Sequence, residues 1–137
     1  MKLEDQVCSL DLAKRLKELG VKQESLFYWR FYHWPSSSSE GRWALTETLP
    51  SLSVIEQENS AFTVAELLGK IPKIIENKGD EINSSYLRIF TDECISWCVA
   101  HDGIGYQLYY DNSDDPNLSN VLAKMLIKLI EQNIVKP

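Results

Sequence analysis

Apolar residues recur at helical spacing in "SLDLAKRLKELG", residues 9–20, where Leu12, Ala13, Leu16 and Leu19 share one side and Lys14, Arg15, Lys17 and Glu18 fill the other. Ser9 is a candidate N-cap, Asp11 suits the positive end of the helix dipole, and Gly20 can take the positive φ of a helix stop. The pattern predicts a helix over 9–19. A second one, over 63–71, is predicted from "AFTVAELLGKIP". There Thr63 and Glu66 have capping-box spacing, Phe62 and Leu67 hold the staple positions, and Pro72 ends the helix near Ile71. A third, over 116–132, carries the wide apolar stripe Leu118, Val121, Leu122, Met125, Leu126, Leu129 and Ile130. Asp115-Pro116 reads as its cap followed by proline at the first helical position.

Elsewhere the period shortens to two. In "LFYWRFYHW", residues 26–34, seven of nine side chains are aromatic if His33 is counted, which favours a pleated strand. Phe27, Trp29 and Phe31 then share the core face, and Tyr28, Arg30, Tyr32 and Trp34 the opposite one. If exposed, that second set is an aromatic patch with one cation, a composition favoured at binding sites. "PSSSSEGR" is a loop, and a strand returns over 43–49; a symmetric hairpin sets Trp34 against Trp43 and Arg30 against Glu47. Residues 86–110 read as a meander with strands at 86–91, 94–101 and 104–110, turning at Asp92-Glu93 and in a type I′ turn at Asp102-Gly103. The expected fold is a single α+β domain over 1–137: a mainly antiparallel sheet of about five strands, in two hairpin units, packed with three helices. The length is ordinary for one domain with a core of its own.

Charge narrows the function. The formal net charge is −6. Residues 1–34 carry six basic and five acidic groups, but residues 76–115 carry nine acids against Lys78 and Arg88. Such a segment repels a phosphate backbone, so nucleic acid is not the expected partner. The alternative is a DNA-binding regulator using residues 9–34 as a helix-turn-helix, but "LFYWRFYHW" offers only Arg30 as a strong base-reading group. Glu4, Asp5 and Asp11 occupy the place of a signal peptide's apolar run, and no apolar stretch reaches the ~18 residues of a membrane span. A cytoplasmic protein with no membrane association is expected, and the odd, scattered set Cys8, Cys94 and Cys98 implies no disulfide framework.

Candidate chemistry is sparse. On a strand Cys94 and Cys98 would lie about 13 Å apart, too far to share one zinc or one disulfide. They read as small buried hydrophobes. His33 and His101 have no nucleophile or carboxylate pattern nearby to make them general bases. "DNSDDPN" collects Asp111, Asp114 and Asp115 without the glycine or spacing of a calcium loop. No phosphate loop, dinucleotide fingerprint, zinc-protease motif or nucleophile elbow occurs. No catalytic, cofactor-binding or metal residue is assigned; the protein is expected to be no enzyme and to need no cofactor.

Three blocks, "QVCSLDLAKRLKELGVKQESLFYW" (6–29), "SAFTVAELLGKIP" (60–72) and "LAKMLIKLIEQNIV" (122–135), together resemble a family of small uncharacterised proteins of phages and prophages. They cover a little over a third of the chain, in the same order. The resemblance implies a bacterial, phage-derived, cytoplasmic protein and carries no activity or site residue. Together with the Trp and Tyr content, it leads to the expectation of a non-catalytic accessory or protein-interaction protein with an unknown protein partner, compatible with a homo-oligomer.

Overall fold

In the computed structural model, the described residues are 2–33, 40–47, 54–75, 85–91, 97–103, 106–111 and 115–137. In the strands from 85 to 111 the description covers the backbone and the side chain of Leu87.

A 3-10 turn, Leu3–Asp5, leads into helix α1, Leu10–Glu18. Ser9 holds the N-cap position without a side-chain cap bond. Its N–H donates instead to Asn120 Oδ1 at 2.7 Å. The stop is as the sequence predicts: Gly20 has φ +87°, Gly20 N–H bonds Lys17 O, and Val21 N–H bonds Leu16 O, closing a Schellman motif.

The aromatic stretch then forms strand β1, Tyr28–His33, so the second helix of a helix-turn-helix is absent from residues 21–33. β1 is flanked by β2, Arg42–Thr46, and β3, Val54–Ser60, in an antiparallel sheet of order β2-β1-β3. The symmetric register expected for β1 and β2 is corrected. Phe31, not Trp34, pairs with Trp43, and Arg30 pairs with Ala44 rather than Glu47. Close packing at the hairpin accompanies this register. A Cβ on Gly41 would lie 2.5 Å from Phe31 Cζ, so the returning chain approaches the ring through the one residue without a side chain. Gly41→Ala should cost about 1–3 kcal/mol as an overpacking change. Urea melts should show that penalty largely gone when Phe31 is also replaced by Ala; persistence of the full penalty would place the strain in the backbone.

Helix α2, Val64–Lys70, has the predicted start. Thr63 Oγ1 accepts from Glu66 N–H, while Glu66 Oε2 accepts from Thr63 N–H at 2.7 Å. Phe62 and Leu67 are both fully buried, as the staple requires. Beyond Pro72, β4, Ile74–Ile75, opens a second antiparallel sheet of order β4-β5-β6-β7, with β5 Ser85–Thr91, β6 Trp97–Gly103 and β7 Tyr106–Asp111. Gly103 pairs with Tyr106 and Asp102 with Gln107, so both residues belong to β6 and not to the tight turn expected at Asp102-Gly103. The turn assigned to Asp92-Glu93 lies outside the described residues.

Helix α3, Leu118–Glu131, is the centre of the molecule. It packs against α1 and α2 and against β6 and β7. Its cap is Asn117, whose side chain accepts from Ser119 N–H; Asp115, the residue expected there, accepts from Asn117 N–H one step earlier. Burial exceeds the predicted stripe, because Ser119, Ala123 and Ile127 are also buried, as befits a helix covered on two sides. The core joins Leu16, Phe62, Leu67, Leu122, Met125 and Leu129, and Trp29 of one sheet and Leu87 of the other pack against it.

The class is α+β with antiparallel sheets, as expected. The strand count is not the expected five: the described residues carry seven strands in two sheets. The five expected strands are present, and β3 and β4 are additional. β3 escapes a pattern reading because Val54, Ile55, Glu56 and Gln57 are all exposed, leaving no alternation to detect.

Candidate functional site

Strand alternation places Tyr28, Arg30 and Tyr32 on one face of the three-stranded sheet, opposite Trp29 and Phe31. Trp34, the fourth member of the candidate patch, lies outside the described residues. Exposure does not separate the two faces into one buried and one open. Tyr32 is the buried residue of β1, at 6% exposure, whereas Phe31 is half-buried against Trp43, ring centroids 5.5 Å apart. Trp29 meets the core, and its Nε1–H donates to Cys8 O at 2.9 Å.

The Tyr28–Tyr32 face is closed by its own cations. The Arg30 guanidinium lies 4.7 Å over the Tyr28 ring, donates to Glu58 Oε2 at 2.5 Å and reaches Thr46 Oγ1 at 3.1 Å. Its side chain is 11% exposed. Arg42, paired with Tyr32, lies 5.5 Å over that ring and donates to the Tyr32 hydroxyl at 3.1 Å. Two arginines thus occupy two tyrosine faces, an arrangement that ties three strands together. A partner would find little free aromatic surface at Arg30 and Tyr32.

The other sequence candidates fall apart from one another. His33 Nδ1 lies 3.1 Å from Glu56 Oε1 on the sheet surface. His101 pairs with Leu87 and Tyr109 in β6, and Cys98 with Phe90; their side chains, and all of Cys94, lie outside the description. Cys8 is fully enclosed, and burial pushes its thiol up to about 12, so it stays protonated and unreactive. Asp115 accepts from Asn117 N–H and Asn120 Nδ2 and lies 3.5 Å from Lys124 Nζ, which makes it part of a helix entry. Asp114 lies outside the described residues, and Asp111 is described by backbone alone, in β7. Among the described residues no group of three or more His, Cys, Asp or Glu could hold a metal.

Glu66 is the most heavily bonded acid among the described residues. Beyond the capping box it accepts from Leu26 N–H at 2.9 Å and Ser25 Oγ at 3.1 Å, anchoring the segment before β1 onto α2. Burial penalises its charged form, but the bonds from Thr63, Leu26 and Ser25 outweigh that, and its carboxyl titrates below the ordinary range. A depressed folded value adds stability above the unfolded value, about 4.3, which is lost as pH falls through the folded one. Glu66→Gln should therefore cost about 1 kcal/mol near neutrality from weakened cap bonds. Between neutral pH and a pH below the folded value, the gap to the wild type should close. Urea midpoints at both pH values check this, and a pH-independent gap would mean that charge is not what the site uses.

What sequence reasoning missed is the edge of β3. Ala61 N–H bonds Phe27 O, so the groups of Glu58 and Ser60 point away from β1. Two of them are covered: Glu58 O accepts from Lys17 Nζ at 2.6 Å, and Ser60 N–H donates to Gln23 Oε1 at 2.9 Å. The other half differs. Among the described residues no strand pairs with the outer edge of Val54–Gln57, and Val54 and Ile55 are 45% and 38% exposed. The available signal was a bulky apolar pair inside a polar run.

No family model, curated protein or solved structure matches the chain. Among the described residues no helix is long and apolar enough to cross a membrane.

Proposed function

We propose that this is a small, non-catalytic interaction protein, a cytoplasmic accessory of phage or prophage origin, which holds an extended segment of a partner protein along the first half of β3. The origin rests on the resemblance of residues 6–29, 60–72 and 122–135 noted above. The binding mode rests on one observation: β3 is sealed by Lys17 and Gln23 over Glu58–Ser60, while over its first four residues, with exposed Val54 and Ile55, no strand among the described residues pairs with its outer edge. Open strand edges pair readily with extended segments, and flanking apolar side chains supply specificity. The Tyr28, Arg30 and Tyr32 face supports this edge from behind, since the Arg30–Glu58 pair fixes β3 against β1.

The test uses Ile55→Lys, which places a charge on the edge. Thermal stability should stay within about 0.5 kcal/mol of the wild type because the side chain is exposed. A partner recovered from the native host by the wild type, and identified by mass spectrometry, should be lost with the variant. Recovery of the same partner in equal amount by both would overturn the edge as the site.

A further inference from the structure

All three helices end at one place. The Schellman stop of α1 delivers Val21 and Lys22 there, and α2 ends there with Lys70. α3 stops in the same manner as α1: Asn133 takes φ 58°, Asn133 N–H bonds Ile130 O, and Ile134 N–H bonds Leu129 O, which turns the tail back over the helix. A cleft of about 230 Å³ lies between these ends. Its floor is apolar, made by Val21, Leu126 and Ile130, all 8% exposed or less, with Val135 beside them. Lys22, Lys70 and Lys136 stand around it.

Three cations at one cleft are unexpected in a chain of net charge −6. Lysines near helix C-termini commonly cap the last carbonyls. Here the carbonyls of Leu16, Lys17, Leu129 and Ile130 are already bonded within the chain. The lysines are used otherwise: Lys70 Nζ lies 5.1 Å over the Phe62 ring, and Lys22 forms an exposed pair with Glu24. Lys136 has no hydrogen bond or ion pair among the described residues. Each helix end contributes roughly half a negative charge at most, and satisfied carbonyls contribute less. With Glu24 set against Lys22, Lys70 and Lys136 are the cations left at the mouth, which Pro137 also lines.

We propose that this cleft binds a small amphipathic anion, with a short hydrocarbon body on Val21, Leu126 and Ile130 and a carboxylate held by Lys70 and Lys136. A few apolar walls with one or two convergent charges suffice to orient such a ligand. The site is separate from the β3 edge, so either proposal can fail without the other.

Hexanoate is the probe, titrated into the full chain and followed by methyl NMR of Val21, Leu126, Ile130 and Val135. Hexanol, which has the tail without the charge, and acetate, which has the charge without the tail, are the comparisons. Saturable shifts confined to those methyls are expected with hexanoate, which should bind at least about tenfold more tightly than either comparison. Lys136→Gln, which removes no hydrogen bond or ion pair among the described residues, should weaken hexanoate severalfold and leave hexanol unchanged. Lys70→Gln should act in the same direction. The proposal is overturned if the shifts do not saturate or spread beyond the cleft. Equal binding of hexanol, or indifference of hexanoate to Lys136→Gln, overturns it as well.

Discussion

Phe62→Ala is expected to lower the free energy of unfolding by about 3–5 kcal/mol, as deletion of a fully enclosed aromatic ring does elsewhere. Net stabilities of domains are about 5–15 kcal/mol, so the variant should be partly unfolded at modest urea concentrations. Several contributions converge on this one residue. Its side chain is fully buried in the central cluster, and its ring forms the staple with Leu67 that sets the entry angle of α2. Its carbonyl accepts from Cys8 N–H at 2.9 Å, and next to it Thr63 bridges Val7, so the N-terminal segment is hung from the same point. The comparison that gives the prediction force is Phe31→Ala. Both residues are aromatic and both look like core from the sequence, but Phe31 is only half-buried. Its truncation should cost markedly less, about 1–2 kcal/mol, in proportion to the area it removes from water. Equal costs in equilibrium urea melts would contradict this view of where the core lies.

That contrast shows which parts of the fold are legible from the sequence. Signals carried within one turn of helix are realised closely. The Thr63–Glu66 box, the Phe62–Leu67 staple and the Gly20 stop depend on residues a few positions apart, and the structure has all three. Signals that need a second segment are not contained in the pattern. Arg30 looks like a lone cation on an aromatic strand, because its partner Glu58 lies in a strand without alternation. Whether Tyr32 is exposed is left open by the pattern, because nothing nearby in sequence shows that Arg42 will close over it. The β1–β2 register hinges on Gly41 passing under Phe31, a contact between residues ten apart. The edge at Val54–Gln57, unpaired among the described residues, is harder still, since its significance depends on Lys17 and Gln23 covering the rest of the strand.

The start of α3 gives the second large effect, and it falls on a residue that local pattern passes over. Asn117→Ala should cost about 2–3 kcal/mol: about 1 for the lost cap and a further 1–2 for carbonyls left short of a donor. Asn117 acts in two directions at once. Its Oδ1 accepts from Ser119 N–H at 2.9 Å, and its Nδ2 donates to Val7 O at 2.9 Å and Glu4 O at 3.2 Å. Ser119 Oγ adds a bond to Gln6 O, and Asn120 Oδ1 receives Ser9 N–H, so three polar residues of one turn bind residues 4–9 to the central helix. Substitutions can separate the two functions. Asn117→Asp keeps an acceptor that suits the helix dipole but loses both donors and turns a carboxylate toward two carbonyls, so it should recover little of the lost stability. Asn117→Ser keeps the cap alone and should fall between Ala and the wild type. Ser9→Ala is the control, because the Ser9 hydroxyl makes no cap bond and its loss should stay within about 0.5 kcal/mol. If Ser9→Ala instead cost as much as Asn117→Ala, the N-terminal segment would be held by α1 and not by α3, and the central place given to α3 would be wrong.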